Sequence, residues 1–321
     1  MKRRSESDPT MGPNGRKIFP QCRPDTVNNQ LESVLDMKIA NQAGRAVLVQ
    51  GERALDIAAA SDGLFGPDIA ELYETWSAFE DWASTDPEGP ASAFDADLLG
   101  PVSPRPRQSF CIGLNYRKHA EEAGWPLPDV PMVFTKFPSS ITGPGAAIEL
   151  TGSTVDWEVE LVVVIGKRAH RVAEEDAWSY VAGLTAGQDI SDRTTQKRPQ
   201  SSPQHSLGKS HPGYSPIGPV LVSPDEFPDP NALRLGCELN GEKMQDGNTD
   251  DLVFPVPHLI AYISDMLPML PGDIIFTGTP SGIGSVRVPP RFIAPGDTLT
   301  TWIDGIGTMS NTFVAGPGVR M

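Results

Sequence analysis

Long hydrophobic runs are missing from this chain: none of its 321 residues lies in a stretch reaching the ~18 consecutive apolar residues that a membrane-spanning helix needs. The start, Met1-Lys2-Arg3-Arg4-Ser5-Glu6-Ser7-Asp8, also lacks the apolar segment of a secretory signal, so a soluble cytoplasmic protein is expected. Cysteine is scarce. Cys22, Cys111 and Cys237 are odd in number, far apart and form no C-x-x-C pair, which argues against a disulfide framework and against a zinc site. Positive charge is short as well: 26 Lys and Arg stand against 41 Asp and Glu, a formal net charge of -15. With no basic block in the body of the chain, nucleic acid and anionic membranes would meet net repulsion, and a small molecule is the expected partner. The stretch Thr277-Gly278-Thr279-Pro280-Ser281-Gly282-Ile283-Gly284 has neither the Gly-Lys-Ser/Thr ending of a P-loop nor G-x-G-x-x-G, so nucleotide binding is unsupported.

Turn residues, in contrast, are plentiful. The 31 Gly and 32 Pro make up about a fifth of the chain, above the usual ~12% yet below the low-complexity range, which predicts many turns rather than disorder. The length suits one large β-rich domain with a smaller companion. Residues 1–36 are polar and irregular and read as a disordered leader or an extended reading of the start. Residues 37–106 read as a small α+β domain. A meander is expected over Met37 to Leu55, followed by a helix capped by Asp68 with apolar positions Ile69, Leu72, Trp76, Phe79 and Trp82, then a linker rich in proline. The main domain is expected over 107–321.

The chemistry gathers around Val155-Asp156-Trp157-Glu158-Val159-Glu160-Leu161-Val162-Val163-Val164-Ile165-Gly166, read as one strand. Side chains two apart share a face, so Glu158 and Glu160 are neighbours entering a run that is apolar on both sides. Buried carboxylates need a proton, hydrogen bonds or a cation, and oxygen donors suit Mg2+, Mn2+ or Ca2+; a polar strand end lapped by water is the plainer alternative. Asp189, at the end of the apolar segment Val181 to Gly187, is the natural third oxygen. Arg193, Gln196 and Lys209 follow, and cations beside a metal would hold a carboxylate or a developing oxyanion. Upstream, a short polar helix over Asn115 to Gly124 puts His119 and Glu122 three apart on one face, where the carboxylate can fix the imidazole for proton transfer or simply sit on a solvated surface. The backbone donors of the glycine-rich corner, Gly278 among them, and Thr279 can cup a small carboxylate, or the stretch is only a corner. Further on, Asn240-Gly241 signals a hairpin, Val256 to Leu267 a helix, and Pro271-Gly272-Asp273 and Pro295-Gly296-Asp297 each launch a strand.

Six of these motifs in order resemble the fumarylacetoacetate hydrolase superfamily over about Arg107 to Phe313. They are Gly113-Leu114-Asn115-Tyr116 with His119, Asp156 to Glu160, Gln188-Asp189 with Arg193 and Gln196, Gly208-Lys209-Ser210, the Asn240-Gly241 hairpin, and Thr277 to Gly282. The resemblance implies a mixed β-roll catalytic domain, usually a homodimer, preceded by a variable N-terminal domain, α+β and β-rich throughout. It implies Mg2+ or Mn2+ at Glu158, Glu160 and Asp189, and a lid on which His119 and Glu122 activate water. Lys209 would steady the oxo groups of the substrate, and Thr279 would meet its carboxylate. One departure bears on specificity: many members carry a Phe-Asp-Thr-Phe type stretch after the lysine, where this chain has His211-Pro212-Gly213-Tyr214-Ser215-Pro216. The expected activity is metal-dependent hydrolysis of the C–C bond of a β-diketo acid, such as an acylpyruvate or a 2,4-dioxo sugar acid. A 2-oxo acid decarboxylase or a hydratase/isomerase is the sister reading, and a non-catalytic metal-containing ligand-binding dimer the alternative from another class.

Overall fold

The computed structural model describes residues 37–317. The expected leader over 1–36, with Cys22, lies outside the described residues. The rest is built on three sheets with short helices between them, the β-rich α+β architecture that the turn density and strand signals predict. The largest sheet runs, in spatial order, through Ala91–Ala93, Arg53–Asp56, Arg45–Gln50, Lys38–Gln42, Ser215–Val222, Val181–Gln188, Val159–Ile165, Ile274–Phe276, Ser109–Gly113 and Met132–Thr135. Most pairs are antiparallel, but Ile274–Phe276 lies parallel to Ser109–Gly113. A five-stranded sheet orders Glu242–Asn248, Arg234–Leu239, Thr298–Ile303, Gly307–Ala315 and Ala147–Leu150, and Val155–Asp156 pairs with Ser191–Asp192.

The local signals explain the elements. Asn240 and Gly241, with φ of 53° and 80°, make the tight turn joining Arg234–Leu239 to Glu242–Asn248. Asp68 caps the helix Ile69–Leu72 by accepting from Ala70 N–H, and a 3-10 turn, Tyr73–Thr75, leads into the helix Trp76–Ala83. The helix expected over Val256 to Leu267 forms over Val256–Met266, with Pro257 in its first turn. Glu174–Tyr180 form a 3-10 helix.

The boundary expected after residue 106 coincides with no break in the sheet. Lys38–Gln42 hydrogen-bonds to Ser215–Val222 in the register Lys38 to Val222 and Ile39 to Leu221, so the N-terminal meander extends the sheet of the later chain. The central strand shows why: its alternate residues feed two cores. Leu161, Val163 and Ile165 pack in a cluster with Leu235, Leu299 and Phe313 of the smaller sheet. Val162 and Val164 pack in another with Leu48, Leu72, Trp76 and Phe79 of the N-terminal part. A strand covered on both faces must be apolar on both, which is the pattern read from Leu161 to Ile165. Glu160 shares the parity of Val162 and Val164, so it emerges where this second apolar layer ends.

Candidate active site

The acidic run is not one strand. It breaks at Trp157 and Glu158, between Val155–Asp156 and Val159–Ile165. Side-chain amides take over the backbone donors there: Glu158 N–H donates to Gln188 Oε1 at 2.9 Å and Val159 N–H to Gln245 Oε1 at 2.9 Å. Antiparallel pairing sets Val159 opposite Gln188, and Asp189 N–H donates to the Glu158 carbonyl at 2.9 Å. That register carries Asp189 to the two glutamates. One oxygen from each of Glu158, Glu160 and Asp189 lies within 4.8 Å of the others, and all three side chains are buried.

Cations surround this cluster unevenly. Arg193 donates from Nε to Asp156 at 2.9 Å and from a terminal nitrogen to Glu158 at 2.6 Å. Lys209 Nζ lies 2.6 Å from Glu158 Oε2 and 2.5 Å from Asp189 Oδ2. Lys136 Nζ, wholly buried, donates to Asp189 Oδ1 at 2.6 Å and to the Tyr214 carbonyl at 2.8 Å. Among the described residues Glu160 makes no ion pair, and the one hydrogen bond it accepts is from Gly278 N–H at 2.7 Å. The titration behaviour follows. Burial would raise Glu158, yet the charges of Lys209 and Arg193 hold it well below the usual carboxylate range. Burial, then the negative charges of Asp189 and Glu158, push Glu160 well above it. A buried carboxylate without a cation, beside two others that face it, has the donor chemistry of a hard divalent ion site. Glu158, Glu160 and Asp189 therefore fit the metal expected from sequence.

Lys136 carries no role in the sequence reading, because nothing local distinguishes a buried lysine at the end of Met132–Thr135 from a surface one. Removing its charge leaves Asp189 Oδ1 without its buried partner. Lys136→Met should destabilise the metal-free protein by about 3–5 kcal/mol, the usual cost of breaking a buried pair from one side. Urea unfolding checks this, and an unchanged midpoint would contradict the pairing.

Across the cavity, the helix Arg117–Ala123 ends at Gly124 with φ of 68°. Asn115 anchors its start, donating to the carbonyls of Thr277 and Phe254 and accepting from Phe254 N–H. His119 Nδ1 lies 3.3 Å from Glu122 Oε2, and both Glu122 oxygens accept from Gly282 N–H at 3.0 and 3.1 Å. Since a carboxylate only accepts, the neutral form of this imidazole carries its hydrogen on Nδ1 and keeps a lone pair on Nε2.

The glycine-rich corner does different work from that expected. Gly278 N–H serves Glu160, Gly282 N–H serves Glu122, and Gly284 and Ser285 N–H serve Asp156 at 2.7 and 2.9 Å. These donors hold the protein's own carboxylates, and the Gly278 N–H expected to face a substrate carboxylate is taken up by Glu160. Gly278 and Gly282, at φ of 104° and 107°, adopt conformations that favour glycine. Thr279 keeps the expected place: it lines the cavity, accepts from Gln245 Nε2 at 2.8 Å and retains its own O–H to donate. Arg193 and Gln196, expected to bind substrate, also line the cavity but are engaged elsewhere. The Arg193 guanidinium pairs with Asp156 and Glu158, and a further N–H donates to Gln196 Oε1 at 3.0 Å. His211 stays outside the cavity lining, its ring against Tyr214 at 5.1 Å.

His119, the three carboxylates, Lys209 and Thr279 thus line one cavity of about 690 Å³, with Ile112, Met132 and Phe134 as its apolar walls. A small acid fits a space of this kind.

Residues 108–314 match the family described as Fumarylacetoacetate (FAA) hydrolase C-terminal. The chain is 42% identical over 222 residues to the human protein named oxaloacetate tautomerase FAHD2A, mitochondrial, covering 68% of this chain and 70% of that one. A solved Mycobacterium smegmatis structure is 50% identical with a TM-score of 0.82, covering 87% of this chain and 100% of its own. Maleylpyruvate hydrolase from Sphingobium sp. SYK-6, solved in complex with manganese(II) ion and pyruvate, is 27% identical with a TM-score of 0.69, covering 87% and 100%.

Proposed function

The chain belongs to the fumarylacetoacetate hydrolase family, and from that premise we propose that it is a metal-dependent enzyme interconverting the keto and enol forms of a 2-oxo acid. Glu158, Glu160 and Asp189 hold Mg2+ or Mn2+, which when bound supplies a Lewis acid for the oxygens of such an acid. The observation that carries the reading is the shared cavity: an imidazole with its Nε2 lone pair free faces the same space as the cluster of acidic oxygens. His119 takes the proton from C3 of the substrate, the electron pair of that C–H bond becomes the C2=C3 double bond, and the C2 oxygen takes a proton from solvent. Glu122 holds the tautomer and steadies the imidazolium. Lys209, whose ammonium burial would lower but Asp189 and Glu158 keep strongly protonated, is a fixed positive charge beside the developing oxyanion. Thr279 donates to the substrate carboxylate. The human relative at 42% identity, named as an oxaloacetate tautomerase, supports this reaction over the C–C hydrolysis expected from sequence.

Hydrolysis of an acylpyruvate or a 2,4-dioxo sugar acid is the second reading. It is favoured by the same His119 and Glu122 pair, which could instead take a proton from water, and by the likeness to a maleylpyruvate hydrolase. One experiment separates them. Protein stripped of metal and reloaded with Mg2+ is given oxaloacetate, with enol absorbance followed, and in parallel acylpyruvates, with products identified by mass spectrometry. Metal-dependent enol decay without pyruvate release is the expected result. Pyruvate plus a free carboxylic acid would move the assignment to the hydrolase, and neither outcome would contradict both.

A further inference from the structure

The lining of the cavity also includes a histidine that sequence reasoning passed over. His205 opens the short helix His205–Gly208, which is pinned against Arg193–Lys197. Gln204 N–H donates to the Gln196 carbonyl at 2.8 Å, and a Cβ at Gly208 would come within 2.6 Å of Gln196 N, so the two turns touch through backbone. The ring of His205 lies against Phe134, with centroids 6.0 Å apart, and Lys209 Nζ lies over the Phe134 ring at 5.3 Å. Its polar contact fixes its chemistry. Arg193 donates to Gln196 Oε1, which turns the Gln196 amide so that its NH2 faces His205 Nδ1 at 3.1 Å. The guanidinium can only donate, so Gln196 Nε2 must donate in turn, and His205 Nδ1 must accept. A neutral imidazole that accepts at Nδ1 carries its hydrogen on Nε2. Burial, then the charge of Lys209, lowers the tendency of His205 to take a second proton. His205 therefore presents an N–H donor, the opposite polarity to His119 in the same cavity lining.

The charge of this lining suggests what meets that donor. The acids lining the cavity are Glu158, Glu160 and Asp189, all in the candidate metal cluster, and Lys197 is also part of the lining. We propose that His205 is a substrate-binding residue whose Nε2–H donates to the distal carboxylate of a 2-oxo dicarboxylic acid, the 2-oxo end of which lies at the acidic cluster. Lys197 adds a positive charge to the same lining. The inference rests on the 2-oxo acid reading above and narrows it to dicarboxylates. Gln196, expected to touch substrate itself, acts through His205 as a positioning residue.

The test compares two unreactive ligands by calorimetry on the Mg2+-loaded protein: oxalate, which has no distal group, and N-oxalylglycine, which has a distal carboxylate. His205→Phe keeps the ring against Phe134 and removes the N–H; His205→Gln returns an amide N–H near the position of Nε2. His205→Phe should weaken N-oxalylglycine by about tenfold or more, the usual effect of losing a hydrogen bond to a charged group, and leave oxalate within about twofold. His205→Gln should recover part of the loss. Equal weakening of both ligands, or of neither, would overturn the assignment of His205 while leaving the 2-oxo acid reading standing. Failure of the wild-type protein to bind either ligand would overturn that reading and this inference with it.

Discussion

Glu160→Gln should give a folded protein that binds neither Mg2+ nor Mn2+ and has no measurable turnover. The substitution is gentle to the fold for a physical reason. Among the described residues Glu160 has no cation partner, and burial and two negative neighbours raise its proton affinity, so glutamine, which matches the protonated carboxyl in shape and charge, adds no new cost of burial. The amide oxygen can still accept from Gly278 N–H. What is lost is one of the three anionic oxygens of the candidate metal site. The loss of affinity should exceed the roughly 10- to 100-fold that removing a mere supporting partner of a metal ligand costs. Thermal unfolding with and without metal reads this directly. A ligand at 100 times its dissociation constant stabilises the native state by about 2.7 kcal/mol, so the wild type should gain several degrees on adding Mn2+ and the variant none. Equal stabilisation of both would remove Glu160 from the ligand set.

His119→Ala should have the complementary signature: metal-dependent stabilisation retained, with kcat lower by about 10²–10⁴-fold, the range for losing a positioned acid–base group. His119 touches none of the three carboxylates, and its hydrogen bond is to Glu122, which the corner at Gly282 holds independently. The fold and the metal should therefore survive. Glu122→Gln should fall between the two, because an amide can turn its NH2 toward Nδ1 and release the imidazole from the Nε2 lone-pair tautomer. Full activity in His119→Ala would show that the proton moves by another route and would leave the cavity as a binding site only.

How far these residues could be read from the sequence depended on the range of the interactions that place them. Glu158, Glu160 and Asp189 were legible because strand parity and the ends of apolar runs are local properties. Asp189 was expected as the third oxygen, but what carries it there, the antiparallel pairing of Val159 with Gln188, is a register that the sequence does not display. His119 and Glu122 were legible from helical spacing, and the Asn240-Gly241 hairpin from its turn chemistry. Lys136 was invisible: its burial comes from Asp189 and Phe276, both far along the chain. The donors at Gly278, Gly282 and Gly284 were visible as glycines, but the sequence does not say whether a backbone N–H will meet a ligand or the protein's own carboxylates. Arg193 and Gln196 drew attention as polar residues near an acid, whereas the structure makes them a relay ending at His205. The domain boundary at residue 106 was read from proline density, a local signal, and the pairing of Lys38 with Val222 carries the sheet straight across it.

The measurement that bears most directly on the central claim is the rate of deuterium incorporation at C3 of oxaloacetate in D2O, followed by proton NMR with metal-stripped protein, Mg2+-loaded protein and Mg2+-loaded His119→Ala. Incorporation well above the uncatalysed rate only in the Mg2+-loaded wild type is the predicted result, because it needs the cation site and the imidazole together. Exchange that is equally fast without metal, or equally fast without His119, would contradict it.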